Sequence, residues 1–257
     1  MTTTLVVAAH PDDEIIGAGI WLHRHSHHRL YVLHITDGSP KDMQDARALG
    51  FTTRQAYALE RRKELAEALQ MLSVSPGNCI QFAFADKEAY LNLSSIVSQL
   101  DDVVQDLRPD LVLSPAYEGG HPDHDSAAFA AASVRRKRDF EHREFPLYHA
   151  DTAARMVAGN FIEESSCETE VLELSPPEQT LKRKMFACFR TQREILANFA
   201  VDKERFRQAP RYDFTKAPHP GPLLYEGWGW GIEGAAWRQS AQETLGAFEH
   251  TFKIREP

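Results

Sequence analysis

Two short stretches carry most of the titratable chemistry of the chain. The first is His10-Pro11-Asp12-Asp13-Glu14, which follows the apolar run Leu5–Ala9. The second is Tyr117-Glu118-Gly119-Gly120-His121-Pro122-Asp123-His124-Asp125, which follows Val112-Leu113. An imidazole at a strand end and a carboxylate in the first turn of the next helix can point the same way. His10 and Asp13 have that spacing. With one imidazole from the second stretch they form a His/His/carboxylate set. Three protein ligands of this kind leave a position open for water, which is the pattern of a catalytic zinc site, and no thiolate lies near to close it. Asp12, next to a ligand, is within reach of such a water and could take its proton. A further histidine could then protonate or stabilise the tetrahedral intermediate, with Asp123 or Asp125 fixing its tautomer. Each His-Pro-Asp alone is an ordinary helix start, with Pro in the first turn and Asp near the cap. Two of them, each with extra His and Asp residues, argue for a site.

The surrounding elements must bring the two stretches together. Leu5–Ala9 is a short β-favouring run without alternation, as expected of a strand covered on both faces. The helix after it carries Ile15, Ile16, Ile20 and Leu22 and fades in the His-rich 23–28, read as a solvated helix end. A strand at 30–36 closes at Asp37-Gly38. A polar loop over 39–53, a helix over 56–72, a strand over 79–84, a helix over 91–107, a strand over 110–114 and a helix over 122–134 follow. This β-α alternation predicts an α/β, Rossmann-like, mostly parallel sheet with helices on both faces. In the common doubly wound order the first and fourth strands flank the switch point, where ligands bind beyond the C-terminal strand ends. The active site is therefore expected at the C-terminal ends of those two strands. Beyond residue 140 the pattern loosens. Strands are expected at 145–149 and 170–174 and a helix at 176–199, with no clear element in the Pro-, Gly- and aromatic-rich 206–231. The expected organisation is a single domain over 1–257, with a core over 1–139 and additional elements over 140–257.

The bulk properties narrow the function classes. The chain has 257 residues, 42% hydrophobic and 26% charged, with a net charge of −8. Such a charge argues against a nucleic-acid binder, which needs a basic face. The basic run Arg135–Arg138 reads as a helix C-terminus favoured by the macrodipole. Cys79, Cys167 and Cys188 are odd in number and far apart, the usage of a reducing compartment. No apolar run approaches the ~20 residues of a membrane span. A soluble, cytoplasmic protein is expected. A nucleotide-binding reading of the fold would need G-x-G-x-x-G after the first strand, and carboxylates stand there instead.

AHPDDE after a first strand and HPDHD after a fourth resemble the PIG-L/LmbE-like family of zinc-dependent N-deacetylases. The likeness covers about 4–135. It extends to Arg61-Arg62-Lys63-Glu64, similar to the family's R-x-x-E helix, and more loosely to Leu181–Ile195, similar to its later K…Q helix. The resemblance implies a Rossmann-like fold and removal of an acetyl group from an N-acetylglucosamine-containing sugar or glycoconjugate. It implies His10, Asp13 and His124 as ligands of Zn2+, with Fe2+ also suited to the set. It further implies Asp12 as general base, His121 as the assisting histidine oriented by Asp123, and Arg61 as a substrate contact. Some members carry an oxyanion-donating tyrosine where this chain has Gly119, which leaves Tyr117 and Glu118 on the same loop as substrate-binding candidates. Gly227-Trp228-Gly229-Trp230-Gly231 offers either an aromatic platform for a sugar ring or packing under a loop. The partner expected is a small N-acetylated molecule, with no nucleic acid and no membrane span; a homo-oligomer is compatible with the sequence. Alternatives are an amidase for a larger N-acyl group or a thiol conjugate, or a non-catalytic metal- or nucleotide-binding protein.

Overall fold

The computed structural model describes residues 1–72, 74–162 and 167–253. At its centre is β1 (Thr3–Ala8), in which every residue is buried. Its side chains alternate between two cores, which explains the unbroken apolar run. Val6 faces one layer with Ile15, Ile20, Leu65 and Met185. Leu5, Val7 and Ala9 face the other with Ile96, Leu100, Phe129 and Trp237. Burial of each Leu or Val on such a strand contributes up to about 1.5–3 kcal/mol.

Around it lie β2 (Arg29–Pro40), β3 (Cys79–Asp86), β4 (Leu111–Pro115), β5 (Glu141–Phe145), β8 (Thr169–Glu173) and β9 (Lys203–Gln208), in the order β3-β2-β1-β4-β5-β9-β8. The five strands from β3 to β5 are parallel, and β9 runs antiparallel to both β5 and β8. Strand order reverses between β1 and β4, as expected of a doubly wound sheet. Helix α1 (Asp13–Arg24) follows β1 and α5 (Pro122–Arg135) follows β4. Helices α3 (Arg54–Leu69), α4 (Leu93–Leu107), α6 (Pro176–Cys188) and α8 (Gly234–Lys253) complete the two layers, with short α2 (Gln44–Ala48) and α7 (Arg193–Leu196). A separate hairpin pairs β6 (Tyr148–Ala150) with β7 (Met156–Ala158).

Several expectations are corrected. Pro11 stands before the cap of α1 rather than inside its first turn. Strand β2 continues through Asp37-Gly38 to Pro40, with shifts in its register against β3. The strand expected at 145–149 divides into β5 and β6, because Pro146 has no N–H to give the ladder. The helix expected over 176–199 breaks at Phe189, whose ring is buried. Residues within 206–231 do form structure: the end of β9 and a 3-10 turn at Leu224–Trp228. Strand β9 is hidden in the sequence because its inward positions include Glu204, taken for a surface residue by type alone.

Glu204 has a specific task. Its two carboxylate oxygens accept the N–H groups of Ile20 and Trp21 in α1, at 2.8 Å each. Lys182 of α6 donates to Glu204 at 2.6 Å and to the Ile16 carbonyl at 2.8 Å, and both side chains are almost fully buried. This pair docks α6 on the helix that begins with Asp13. Lys182→Met removes one partner and leaves a buried carboxylate uncompensated, so a loss of about 3–5 kcal/mol is expected in denaturant unfolding. A change below about 1 kcal/mol would mean that the pair does not hold the two helices together.

Candidate active site

The residues of HPDDE diverge in direction. Asp13 Oδ2 accepts the backbone N–H groups of Ala9 and His10, at 2.9 and 2.8 Å, which ties the first turn of α1 to the end of β1. Its other oxygen, Oδ1, stands 3.2 Å from His124 Nε2. Asp12 Oδ2 accepts from Arg61 at 3.0 Å. Glu14 turns the opposite way and meets His34 of β2 at 3.0 Å, fully buried. Three of the four titratable groups thus face forward, and the fourth belongs to the sheet.

His121 caps α5, and its Nδ1 accepts the N–H of Asp123 at 3.1 Å. In the neutral ring the proton therefore sits on Nε2. Nε2 lies 3.5 Å from Asp86 Oδ1. His124, one turn on, brings Nε2 to 3.1 Å from His10 Nδ1. The other nitrogen of His10 faces Asp86 Oδ1 at 3.2 Å and Asp123 Oδ2 at 3.3 Å. A neutral His10 that donates its Nε2–H to those carboxylates has its Nδ1 lone pair free.

Two imidazole nitrogens and the Asp13 Oδ1 thus converge. Tetrahedral coordination with bonds of about 2.0–2.1 Å places neighbouring ligand atoms about 3.3 Å apart. The 3.1 and 3.2 Å separations fit that edge, and His10 Nδ1 stands 3.6 Å from the other oxygen of Asp13. His10 also has the carboxylate behind it that metal-binding imidazoles usually have. Two groupings of possible ligands share His10: His10 with His121 and His124, and His10 with Asp86, His121 and Asp123. In the second, Asp123 is already engaged, since its oxygens accept from Lys87 N at 2.6 Å and Ala89 N at 3.1 Å. These imidazoles and carboxylates are donors of the types that hold a divalent cation.

The electrostatics are those of a crowded buried cluster. Burial works against the charge of Asp13, but His124 and His10 outweigh it and hold the carboxyl well below the usual range. Burial pushes Asp12 up to about 6, against the opposing pull of Arg61 and with help from Asp13. Burial and the neighbouring His10 lower His121 well below an ordinary imidazole.

Asp86, at the end of β3, is the site residue that sequence reasoning missed. It lies near His10, His121 and Arg61, the last at 3.9 Å. Its signal was slight: an acid at the C-terminal end of a parallel strand, although β3 stands two strands away from the switch point. Asp123 faces His10 rather than His121, so the expected orienting pair is not formed; Asp125 instead accepts from Glu118 N and Gly119 N. Arg61 is 4% exposed and is spent on Asp12 and the Gly38 carbonyl, which makes it a support for Asp12 rather than a free substrate contact. Glu64, its partner in the R-x-x-E pattern, accepts from the N–H and hydroxyl of Thr191.

Tyr117 and Glu118 do not reach the cluster. The Tyr117 hydroxyl donates to the Lys216 carbonyl at 2.8 Å and its ring stacks on Trp237. Glu118 accepts from Leu147 N at 2.9 Å. The aromatic segment does reach the site. Trp230 meets the ring of His121 at 5.1 Å between centroids, the Lys87 ammonium lies 4.2 Å from Trp230, and Trp228 packs between Trp230 and Tyr148. Of the histidines of 23–28, His25 stacks on Trp21 at 3.8 Å and His28 meets its edge at 6.0 Å, away from the cluster. Among the described residues no helix is long and apolar enough to cross a membrane.

A mostly parallel sheet with a His/Asp cluster at its switch point defines an α/β protein of the doubly wound class. The sequence model of the PIG-L family, GlcNAc-PI de-N-acetylase, matches residues 5–134, just over half of the chain, and the chain belongs to that family. No curated protein matches its sequence. Among solved structures, the zinc-inhibited form of teicoplanin deacetylase Orf2 superposes with a TM-score of 0.65 at 16% identity, over 82% of this chain and 99% of that one. N,N'-diacetylchitobiose deacetylase from Pyrococcus horikoshii gives 0.56 at 18% identity, over 80% and 83%. GalB, the 4-carboxy-2-hydroxymuconate hydratase from Pseudomonas putida KT2440, gives 0.54 at 17%, over 82% and 98%. At these identities the likenesses establish the fold; a hydratase among them means that the fold by itself does not choose the reaction.

Proposed function

We propose that the protein hydrolyses the N-acetyl amide of an N-acetylglucosamine-containing sugar or glycoconjugate, with His10, Asp13 and His124 holding a zinc ion and Fe2+ as the other suited metal. The observation that carries this reading is the convergence of His10 Nδ1, His124 Nε2 and Asp13 Oδ1, with Asp12 fixed beside them by Arg61. A divalent cation held there supplies two things an amide needs, a more acidic water and a polarised carbonyl.

The chain's own groups supply the proton transfers. Asp12 is placed to accept one proton of the attacking water as its oxygen bonds to the acyl carbon. Asp12 can then give that proton to the amide nitrogen as the C–N bond breaks, while the neutral His121 ring donates its Nε2–H in a hydrogen bond to the tetrahedral intermediate and keeps its proton. The second proton of the water passes from the new carboxyl group to the freed amine, which leaves Asp12 ionised and His121 neutral. Both of the water's protons finish on the nitrogen, and the products are acetate and an ammonium ion. Trp230 beside His121 offers a flat apolar face for the sugar ring that carries the amide.

The test is incubation of the zinc-loaded protein with N-acetylglucosamine, N,N'-diacetylchitobiose, N-acetylglucosaminyl lipids and N-acyl thiol conjugates. Acetate and free amine in equal amounts from an N-acetylated sugar are expected. A metal-replete protein that releases acetate from none of the sugars would defeat this reading, and release from only the thiol conjugates would move the substrate class.

A further inference from the structure

The basic run Arg135–Arg138 at the end of α5 divides between two neighbours. Arg138 pairs with Asp101 of α4 at 2.6 Å and donates to Gln105, and Lys137 lies 3.9 Å from the same Asp101. Arg135 and Arg136 instead line a cavity of about 580 Å³, together with Arg211, His142, Tyr212 and Phe214. No carboxylate lines it, and among the described residues none of these three arginines forms an ion pair. The macrodipole of α5 accounts for a cation at Arg135 or Arg136. It does not account for Arg211, which arrives from the loop after β9.

The walls of the cavity are fixed. Arg135 donates to the Ala209 carbonyl at 3.3 Å, which joins the helix end to that loop. The Tyr212 hydroxyl donates to Glu144 at 2.8 Å and accepts from Arg207 at 3.1 Å. His142 is 2% exposed. Ser114 gives its hydroxyl proton to the Pro115 carbonyl at 3.0 Å, so it accepts from His142 Nε2 at 2.9 Å. Nδ1 is then a lone pair, and it has no partner among the described residues. Burial, with help from Arg135, lowers this imidazole to about 3, so the ring is neutral. Helix α5 has 14 residues, which at 1.5 Å each puts its ends about 21 Å apart. His121 caps one end and the cavity lies at the other, so the two sites are separate.

We infer that this cavity binds a phosphate-bearing small molecule, with the phosphate on Arg135, Arg136 and Arg211 and a ligand hydroxyl donating to His142 Nδ1. Charge and donor geometry favour phosphate. Three guanidiniums present forked N–H donors from a helix and a loop, and a phosphate monoester offers three oxygens and about two negative charges, where a carboxylate offers two oxygens and one charge. The volume exceeds what a phosphate alone fills and lies within the roughly 300–1,000 Å³ of small-molecule sites. The net charge of the chain is −8, so the basic lining is local. A small anion can use it, whereas a long polyanion would also meet the acidic remainder.

Calorimetric titration at fixed ionic strength tests this with glucose 6-phosphate, ADP and pyrophosphate, and with glucose and adenosine as uncharged counterparts. At least one phosphate compound should bind at one molecule per chain, and glucose and adenosine should not bind. Arg136 and Arg211 are exposed, so glutamine at either position spares the fold. Arg136→Gln and Arg211→Gln should each weaken binding about tenfold, the loss of one charge-assisted hydrogen bond. Arg183→Gln on α6 removes the same charge elsewhere and should leave binding unchanged. Binding of none of the phosphate compounds overturns the inference, as does equal binding of an uncharged counterpart. Binding untouched by both cavity variants overturns it by placing the phosphate at the His/Asp cluster instead. An equal loss in Arg183→Gln overturns it by reducing the effect to net charge.

Discussion

Asp12→Asn is expected to bind metal as the wild type does and to lose about 10²–10⁴-fold in turnover, the usual cost of removing a general base. The amide has nearly the carboxylate's shape, and its oxygen can still accept the Arg61 hydrogen bond that holds residue 12 in place. What it cannot do is take a proton. The buried carboxyl is pushed up to about 6, chiefly by loss of solvation and in opposition to Arg61. A base must be ionised to act, so turnover should fall as pH drops through the Asp12 pKa. A bound cation favours the carboxylate, so this acid limb lies near or below about 6. In the asparagine variant the limb should vanish along with the rate. An Asp12→Asn enzyme that works at near wild-type rate with full metal would move the base elsewhere, and Asp86 would then be the nearest carboxylate.

The second large effect separates the two histidines of HPDH. His124→Ala should abolish stoichiometric metal binding and with it all activity, whereas His121→Ala should keep the metal and lower turnover. The geometry motivates the split. His124 Nε2 faces His10 Nδ1 at 3.1 Å and Asp13 Oδ1 at 3.2 Å. His121 spends Nδ1 on the helix cap and directs Nε2 to Asp86, beside Trp230 at the rim. Metal analysis of the two purified variants decides the matter. Loss of metal from the His121 variant with retention in the His124 variant would exchange the roles and favour the grouping of His10, Asp86, His121 and Asp123.

The sequence by itself determined the parallel core and the meeting of the two motifs. Both are consequences of local, periodic signals. An apolar run without alternation means two covered faces, and β-α alternation forces parallel strands whose C-terminal ends share one edge. The direction of Glu14 was not legible, because its partner His34 lies on the neighbouring strand. The same holds for Glu204, whose buried role depends on Lys182 and on two N–H groups of α1. Only the tertiary structure brought Asp86 to His10, turned Asp123 from His121 to His10, and took Tyr117 and Glu118 out of the site. The physical reason is common to all of these. A side chain's type and spacing fix what it can donate or accept, but its partner is chosen by long-range packing, and a buried polar group takes whichever partner the fold brings within hydrogen-bond reach.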